Sequence, residues 1–228
     1  IGQDRSDGGA PSQQRDGSPA GDARGVGAPD TNEGPVDGAA PDAMAPADPS
    51  DDVLIRTRLG SIRVRLNRDQ APTTVENFLQ YVDDGFFDGR DGLGATVFHR
   101  VISDFMIQGG GMLADGTLKA TRGTIPIESD NGLRNRRGTI AMARTNDPNS
   151  AASQFFINHA DNAFLDYSPG NPGYAVFGQV IEGLETVDAI AAEQTSAQDV
   201  PLNPVVIEAL TRWMADDKRV RRCPPHTR

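Results

Sequence analysis

The sequence predicts a mainly β fold: an antiparallel barrel with α-helices over its open ends, preceded by a disordered tail. Three observations carry this. Apolar residues alternate with arginines across 55–66, and further short strand-like runs follow to residue 210, separated by Gly- and Asn/Asp-rich stretches. Only two segments keep the spacing of an amphipathic helix. Residues 1–51 hold no aromatic side chain, and Gly, Pro, Ala and Asp fill 34 of those 51 positions.

Taken in order, residues 1–51 carry ten acidic and three basic side chains. So few large apolar groups cannot offset the entropy of ordering a backbone, and the segment reads as a flexible, self-repelling linker. A hairpin follows, with Ile55, Thr57 and Leu59 alternating with Arg56 and Arg58. Beyond Gly60-Ser61, Ile62, Val64 and Leu66 alternate with Arg63 and Arg65. The Gly-Ser pair reads as its turn and the arginines as its wet face. Pro72 opens a helix that places Val75, Phe78, Leu79 and Val82 on one stripe, and Gly85 closes it. Strands are expected at 96–102, 105–108, 139–143, 154–158, 175–180 and 205–210. A second helix is expected at 184–191, on Leu184, Val187, Ile190 and Ala191. Residues 52–213 thus form one domain, and 214–228 a short tail with five positive charges.

Composition excludes several classes of function. No window approaches 18 consecutive apolar residues, so no transmembrane helix is expected. The net charge of −10 disfavours binding to nucleic acid through phosphate neutralisation. The single cysteine, Cys223, rules out an internal disulfide and a cysteine-based zinc site. His99 and His159 lie sixty residues apart with no metal-ligand spacing around them, so each reads as a packed or hydrogen-bonded imidazole. Asp83-Asp84 reads as solvation and capping. Gly109-Gly110-Gly111 lacks the neighbours of a phosphate loop and reads as a turn. No cofactor or metal is expected.

What remains is a gathering of apolar residues around one arginine. Residues 98–110 read FHRVISDFMIQGG; further on come GTIAMAR at 138–144 and SQFFIN at 153–158. On periodicity alone these are core strands with Arg100 at the surface. Together with Tyr174-Ala175-Val176-Phe177-Gly178, however, the blocks resemble the signature of the cyclophilin family of peptidyl-prolyl cis-trans isomerases, over residues 53–210. DNGLRN at 130–135 and AFLD at 163–166 are similar to its bacterial branch.

The resemblance implies an eight-stranded antiparallel barrel capped by two helices, and rotation about Xaa-Pro bonds in proline-containing polypeptides. It implies that Arg100 donates to the prolyl nitrogen or a neighbouring carbonyl, with Phe105 and Gln108 beside it. Phe105, Met106, Phe156 and Leu165 match the apolar proline pocket, and Gln108 and Gln154 the polar groups that hold the substrate backbone. Ala143 and Arg144 match the edge whose main chain pairs with the peptide. Phe164 stands where many eukaryotic members carry Trp, and Tyr174 where they carry His, so only weak cyclosporin binding is expected. A cyclophilin-like module that grips proline without turnover is the competing reading, and Arg100 argues against it, since pure binding does not need that cation. A monomer is expected. An acidic tether ahead of a folding catalyst suits the periplasm or cell envelope, with the cytoplasm as the alternative.

If residues 1–51 are a linker, they span about 35–42 Å as a flexible chain and add reach without catalysis. Their deletion is expected to leave short-peptide turnover and the melting temperature nearly unchanged. A melting point several degrees lower in calorimetry would show that the segment packs on the domain.

Overall fold

A computed structural model describes residues 51–214; the rest of the expected linker and basic tail lies outside the described residues. Among the described residues ten strands and two α-helices follow in the order β1 (Asp52–Thr57), β2 (Gly60–Leu66), α1 (Pro72–Asp83), β3 (Asp88–Gly89), β4 (Gly94–Ile102), β5 (Met106–Leu113), β6 (Thr139–Met142), β7 (Phe155–Asn158), β8 (Val176–Glu182), α2 (Leu184–Ala191), β9 (Val205–Val206) and β10 (Ala209–Arg212). Their order in the sheet is β10-β1-β2-β8-β6-β7-β5-β4-β3, with β9 paired to β4. Every pairing is antiparallel.

The expected eight strands and the observed ten describe one barrel. The single strand expected at 205–210 is a course in two halves: β9 pairs with β4 and β10 with β1. Between them the Ile207 N–H still donates to Thr96 O at 2.9 Å, while the Glu208 N–H has turned to Arg56 O at 2.8 Å. The course changes partner at that point and joins the two ends of the sheet. Beyond it, β3 is a two-residue appendage to β4.

The first hairpin forms with its turn moved from Gly60-Ser61 to Arg58-Leu59. There the Thr57 hydroxyl accepts from the Leu59 N–H at 3.1 Å and Thr57 pairs with Gly60. A shift of two residues preserves the faces, so Ile55 stays inside the barrel and opposes Ile62 in place of Leu66. The arginine face is less wet than its alternation implies. Fully buried Asp52 accepts from Arg63 at 2.5 Å and from Arg65 at 3.0 Å, and Trp213 lies 4.4 Å from the Arg63 guanidinium. Asp51, at the end of the expected linker, is buried against Arg68. A truncation that tests the linker alone therefore keeps Asp51.

Both helices form at the expected residues and bury their apolar stripes in the barrel core, where Phe78 of α1 meets Phe87, Phe155 and Phe177 at 5.2–5.5 Å. Helix α1 starts without a side-chain cap of its own. Glu128 supplies one from a distant loop, accepting from the N–H groups of Thr73 and Thr74 at 3.1 and 2.8 Å.

The larger departure concerns Gly109-Gly110-Gly111. These residues are not a turn; they lie buried within β5. A Cβ at Gly110 would come within 2.8 Å of the Phe155 ring, and its φ is +82°. A Cβ at Gly111 would meet Gln154 Cγ at 2.4 Å. The run leaves room for rings on one side and for a glutamine side chain on the other.

Gly110→Ala combines a left-handed backbone with overpacking, so it is expected to cost about 2–4 kcal/mol of stability. Chemical denaturation checks this, and a variant within 0.5 kcal/mol of the parent, roughly the scatter of neutral surface changes, would contradict the packing described.

Candidate active site

Most strands of the barrel keep one face in the core, but five neighbouring ones also carry a shared row on the outside. Within β5, β7, β6 and β8, the inward residues Ile107, Phe155, Ile157, Ile140 and Phe177 join the main core. The residues between them, Met106, Phe156, Ala141 and Val176, form a second apolar cluster. The strand register aligns this outer face into a rung. Arg100 pairs with Gln108, Gln108 with Phe156, Phe156 with Ala141, and Ala141 with Val176. A cation, an amide and an apolar floor therefore succeed one another across β4, β5, β7, β6 and β8.

A bulge aims the cation. Phe98 and Val101 both belong to the inner core although they are three residues apart. The register against β5 shifts between Phe98 and Arg100, inserting the residue that this spacing needs. Without it, strict alternation would send Arg100 inward with Phe98. The Arg100 side chain is 45% exposed, and its Nε lies 3.5 Å from Asp199 Oδ2.

Loops cover the apolar floor. Ile102, Phe105, Leu133, Ala143, Leu165 and Tyr174 pack on it partly exposed. Phe105 is pinned through its carbonyl, which accepts from the His159 N–H and Asn162 Nδ2, both at 2.9 Å. Its ring stacks on Phe164 at 5.7 Å, and Phe164 itself is 67% exposed. Tyr174 meets Phe156 edge-on at 5.7 Å. On its rim, the Arg144 guanidinium lies 4.5 Å from the Tyr174 ring centroid and donates to Gly173 O at 2.9 Å.

Beside this floor runs a groove lined by Gln108, Thr121, Ala143, Arg144, Ser153 and Gln154. Gln108 Nε2 donates to Gln154 Oε1 at 2.9 Å, and Gln154 rests over Gly111, where no Cβ intervenes. The Ala143 N–H is spent on Gln154 O at 2.9 Å. The Ala143 carbonyl and the Arg144 N–H have no partner among the described residues, which leaves an open backbone edge. The groove's far wall is held by Lys119, whose buried ammonium donates to the carbonyls of Phe86 and Gly94 and to Asp91.

The structure thus brings together all eleven expected residues: Arg100, Phe105, Met106, Gln108, Ala143, Arg144, Gln154, Phe156, Phe164, Leu165 and Tyr174. Sequence reading missed Ala141, Val176 and Leu133 in the floor, Gly111 under Gln154, and Asp199 beside Arg100. The alternation of Ala141 and Val176 with core neighbours was a usable signal for the floor; nothing local marks Asp199. His159 is hydrogen-bonded, as expected, accepting from the Asp104 N–H at 2.8 Å with Nε2 3.2 Å from Asp188.

A family profile described as cyclophilin type peptidyl-prolyl cis-trans isomerase/CLD matches residues 52–212. The chain is 55% identical over 164 residues to a peptidyl-prolyl cis-trans isomerase of Streptomyces antibioticus, covering 69% of this chain and 95% of that one. It is 46% identical over 166 residues to peptidyl-prolyl cis-trans isomerase B of Escherichia coli, covering 70% and 98%. A crystal structure of a Cryptosporidium parvum cyclophilin type isomerase, solved in the presence of the dipeptide Ala-Pro, superposes with a TM-score of 0.62 at 28% identity. That match covers 72% of this chain and 99% of that one.

Burial holds the imidazole of His99, beside the cation, below the ordinary value of 6.5, against hydrogen bonding to Val97 and Gln154 that favours its charged form. The unfolded chain therefore takes up this proton first as pH falls, so stability is expected to drop below about pH 6.5. Melting curves from pH 7.5 to 5 check this: His99→Gln should flatten that part of the profile, and an unchanged slope would contradict the assignment.

Proposed function

The chain belongs to the cyclophilin family of peptidyl-prolyl cis-trans isomerases, and from that premise we propose that Arg100 and the rung beside it lower the barrier to Xaa-Pro rotation. Resonance gives the amide C–N bond double-bond character and a barrier of about 18–20 kcal/mol. Uncatalysed exchange at Xaa-Pro accordingly takes tens to hundreds of seconds. Rotation breaks the resonance, and the prolyl nitrogen becomes pyramidal and regains its lone pair. A donor aimed at that nitrogen binds the twisted state better than either planar isomer, which is the condition for catalysis. The Arg100 guanidinium stays protonated and offers a rigid fork of donors. No bond is made or broken.

The observation that carries this reading is the rung. In it, the apolar floor around Phe156 lies two strands from Arg100, with Gln108 between them. A proline ring seated on Met106 and Phe156, and walled by Phe105 and Leu165, puts its nitrogen on the Gln108 side of the floor. Aromatic faces and a pliable thioether suit a saturated ring. The Ala143 carbonyl and Arg144 N–H, unpaired among the described residues, support strand-like pairing with the residues that precede proline. Main-chain pairing and a ring-shaped floor leave the residue before proline largely unread, so clients are proline-containing polypeptides of many sequences.

Within the same proposal, residues 52–213 are the isomerase domain, 1–51 its tether and 214–228 a basic tail. Among the described residues no helix is long and apolar enough to cross a membrane. The acidic tether supports residence in the periplasm or cell envelope. A monomer suffices, because every site residue comes from one chain. Phe164 lacks the indole N–H of Trp, which supports weak cyclosporin binding.

Arg100→Ala is expected to lose about 10²–10³-fold in kcat, the equivalent of ~2.7–4 kcal/mol for a donor at a developing charge. Its melting temperature should hold. A protease-coupled assay with an Xaa-Pro peptide in the presence of a metal chelator reads this out; parent-like turnover in the variant would overturn the mechanism.

A further inference from the structure

Asp199 lies in the loop that joins α2 to β9, about a hundred residues from the arginine it faces. Its φ is +63°, in the left-handed region that non-glycine residues seldom occupy. The loop is built to hold that conformation. The Asp199 N–H donates to Ser196 O at 3.0 Å and the Ser196 N–H to Val200 O at 2.8 Å. The Ser196 hydroxyl accepts from the N–H groups of Gln198 and Val200 at 3.2 and 3.4 Å. The loop is then stitched to the strand that carries the cation, because the Val101 N–H donates to Asp199 O at 2.8 Å. Backbone and side chain of one residue thus engage two successive residues of β4, with the carboxylate 3.5 Å from Arg100 Nε.

We infer that Asp199 is a positioning residue for Arg100, an assignment that rests on the role proposed for Arg100 above. The side chains are 45% and 40% exposed, so solvent screens the pair and its attraction alone is small. Its geometric effect is larger. Arginine has many rotamers, and a carboxylate at Nε holds the elbow of the side chain. The contact is to Nε, so the terminal nitrogens of the fork are not what it engages. A guanidinium held this way need not be ordered when the substrate arrives. The left-handed Asp199 backbone is the cost of bringing the carboxylate to that point.

Asn tolerates a left-handed backbone nearly as well as Asp, so Asp199→Asn removes the charge and leaves the loop in place. In the full chain this variant is expected to lose about fivefold in kcat with little change in KM, the rate equivalent of ~1 kcal/mol. The same substitution in an Arg100→Ala background should change nothing further. A parent-like or faster Asp199→Asn enzyme would overturn the assignment, and so would an equal loss in both backgrounds, which marks a general disturbance. Parent-like turnover in Arg100→Ala alone would instead remove the reading of Arg100 on which the assignment rests, so the two failures are told apart.

Discussion

The β pleat governs both the core and the site of this barrel. Successive residues of a strand face opposite ways, so a barrel wall can line a core and a ligand site at once only if both of its faces are specified. Here β5, β6, β7 and β8 alternate between inner and outer apolar clusters over two to three residues each. Register then turns four private alternations into a common row that ends on Arg100. A one-residue slip anywhere in that wall would exchange floor and core. The barrel is nearly closed, and the change of partner at Ile207-Glu208 carries one course from β4 to β1 across its seam.

Two local devices adapt the pleat to the site. The bulge at Phe98–Arg100 adds one residue and so reverses the facing of everything after it, sending Val101 inward and Arg100 outward. The glycines of β5 remove side chains where neighbours must come close, and Gln154 occupies the space over Gly111. Loops supply the remainder. The carbonyl of Phe105, the stack of Phe164 on Phe105 and the cover of Tyr174 on Phe156 make walls for a floor that strands alone would leave flat.

Much of this was legible in the sequence because it is written in local periods. Helix α1 shows the stripe Val75, Phe78, Leu79, Val82 behind a proline, and the first hairpin alternates across its whole length. The site residues were legible through their resemblance to a family pattern rather than through periodicity, which left Arg100 as a surface residue. What was not legible has physical reasons. Glycine serves a turn and a close approach equally well, so Gly109–Gly111 could not be told from a loop until Phe155 and Gln154 were in place. A bulge leaves no compositional mark. Pairing partners that change within one course, as in 205–212, depend on strands more than a hundred residues away. Asp199 belongs to the same class, since its role exists only once its loop lies beside β4.

In the proposed mechanism the guanidinium fork stabilises the twisted amide and leaves the planar isomers nearly untouched. The direct measurement is the cis–trans exchange rate of a bound Ala-Pro peptide at saturation, by NMR exchange spectroscopy, in parallel with its affinity, for the parent and Arg100→Lys. Lysine keeps the charge and loses the fork. Bound-state exchange in Arg100→Lys is expected to be much slower at nearly unchanged affinity. Exchange at the parent rate, with affinity lost in its place, would show that Arg100 binds the ground state and that the catalysis arises elsewhere.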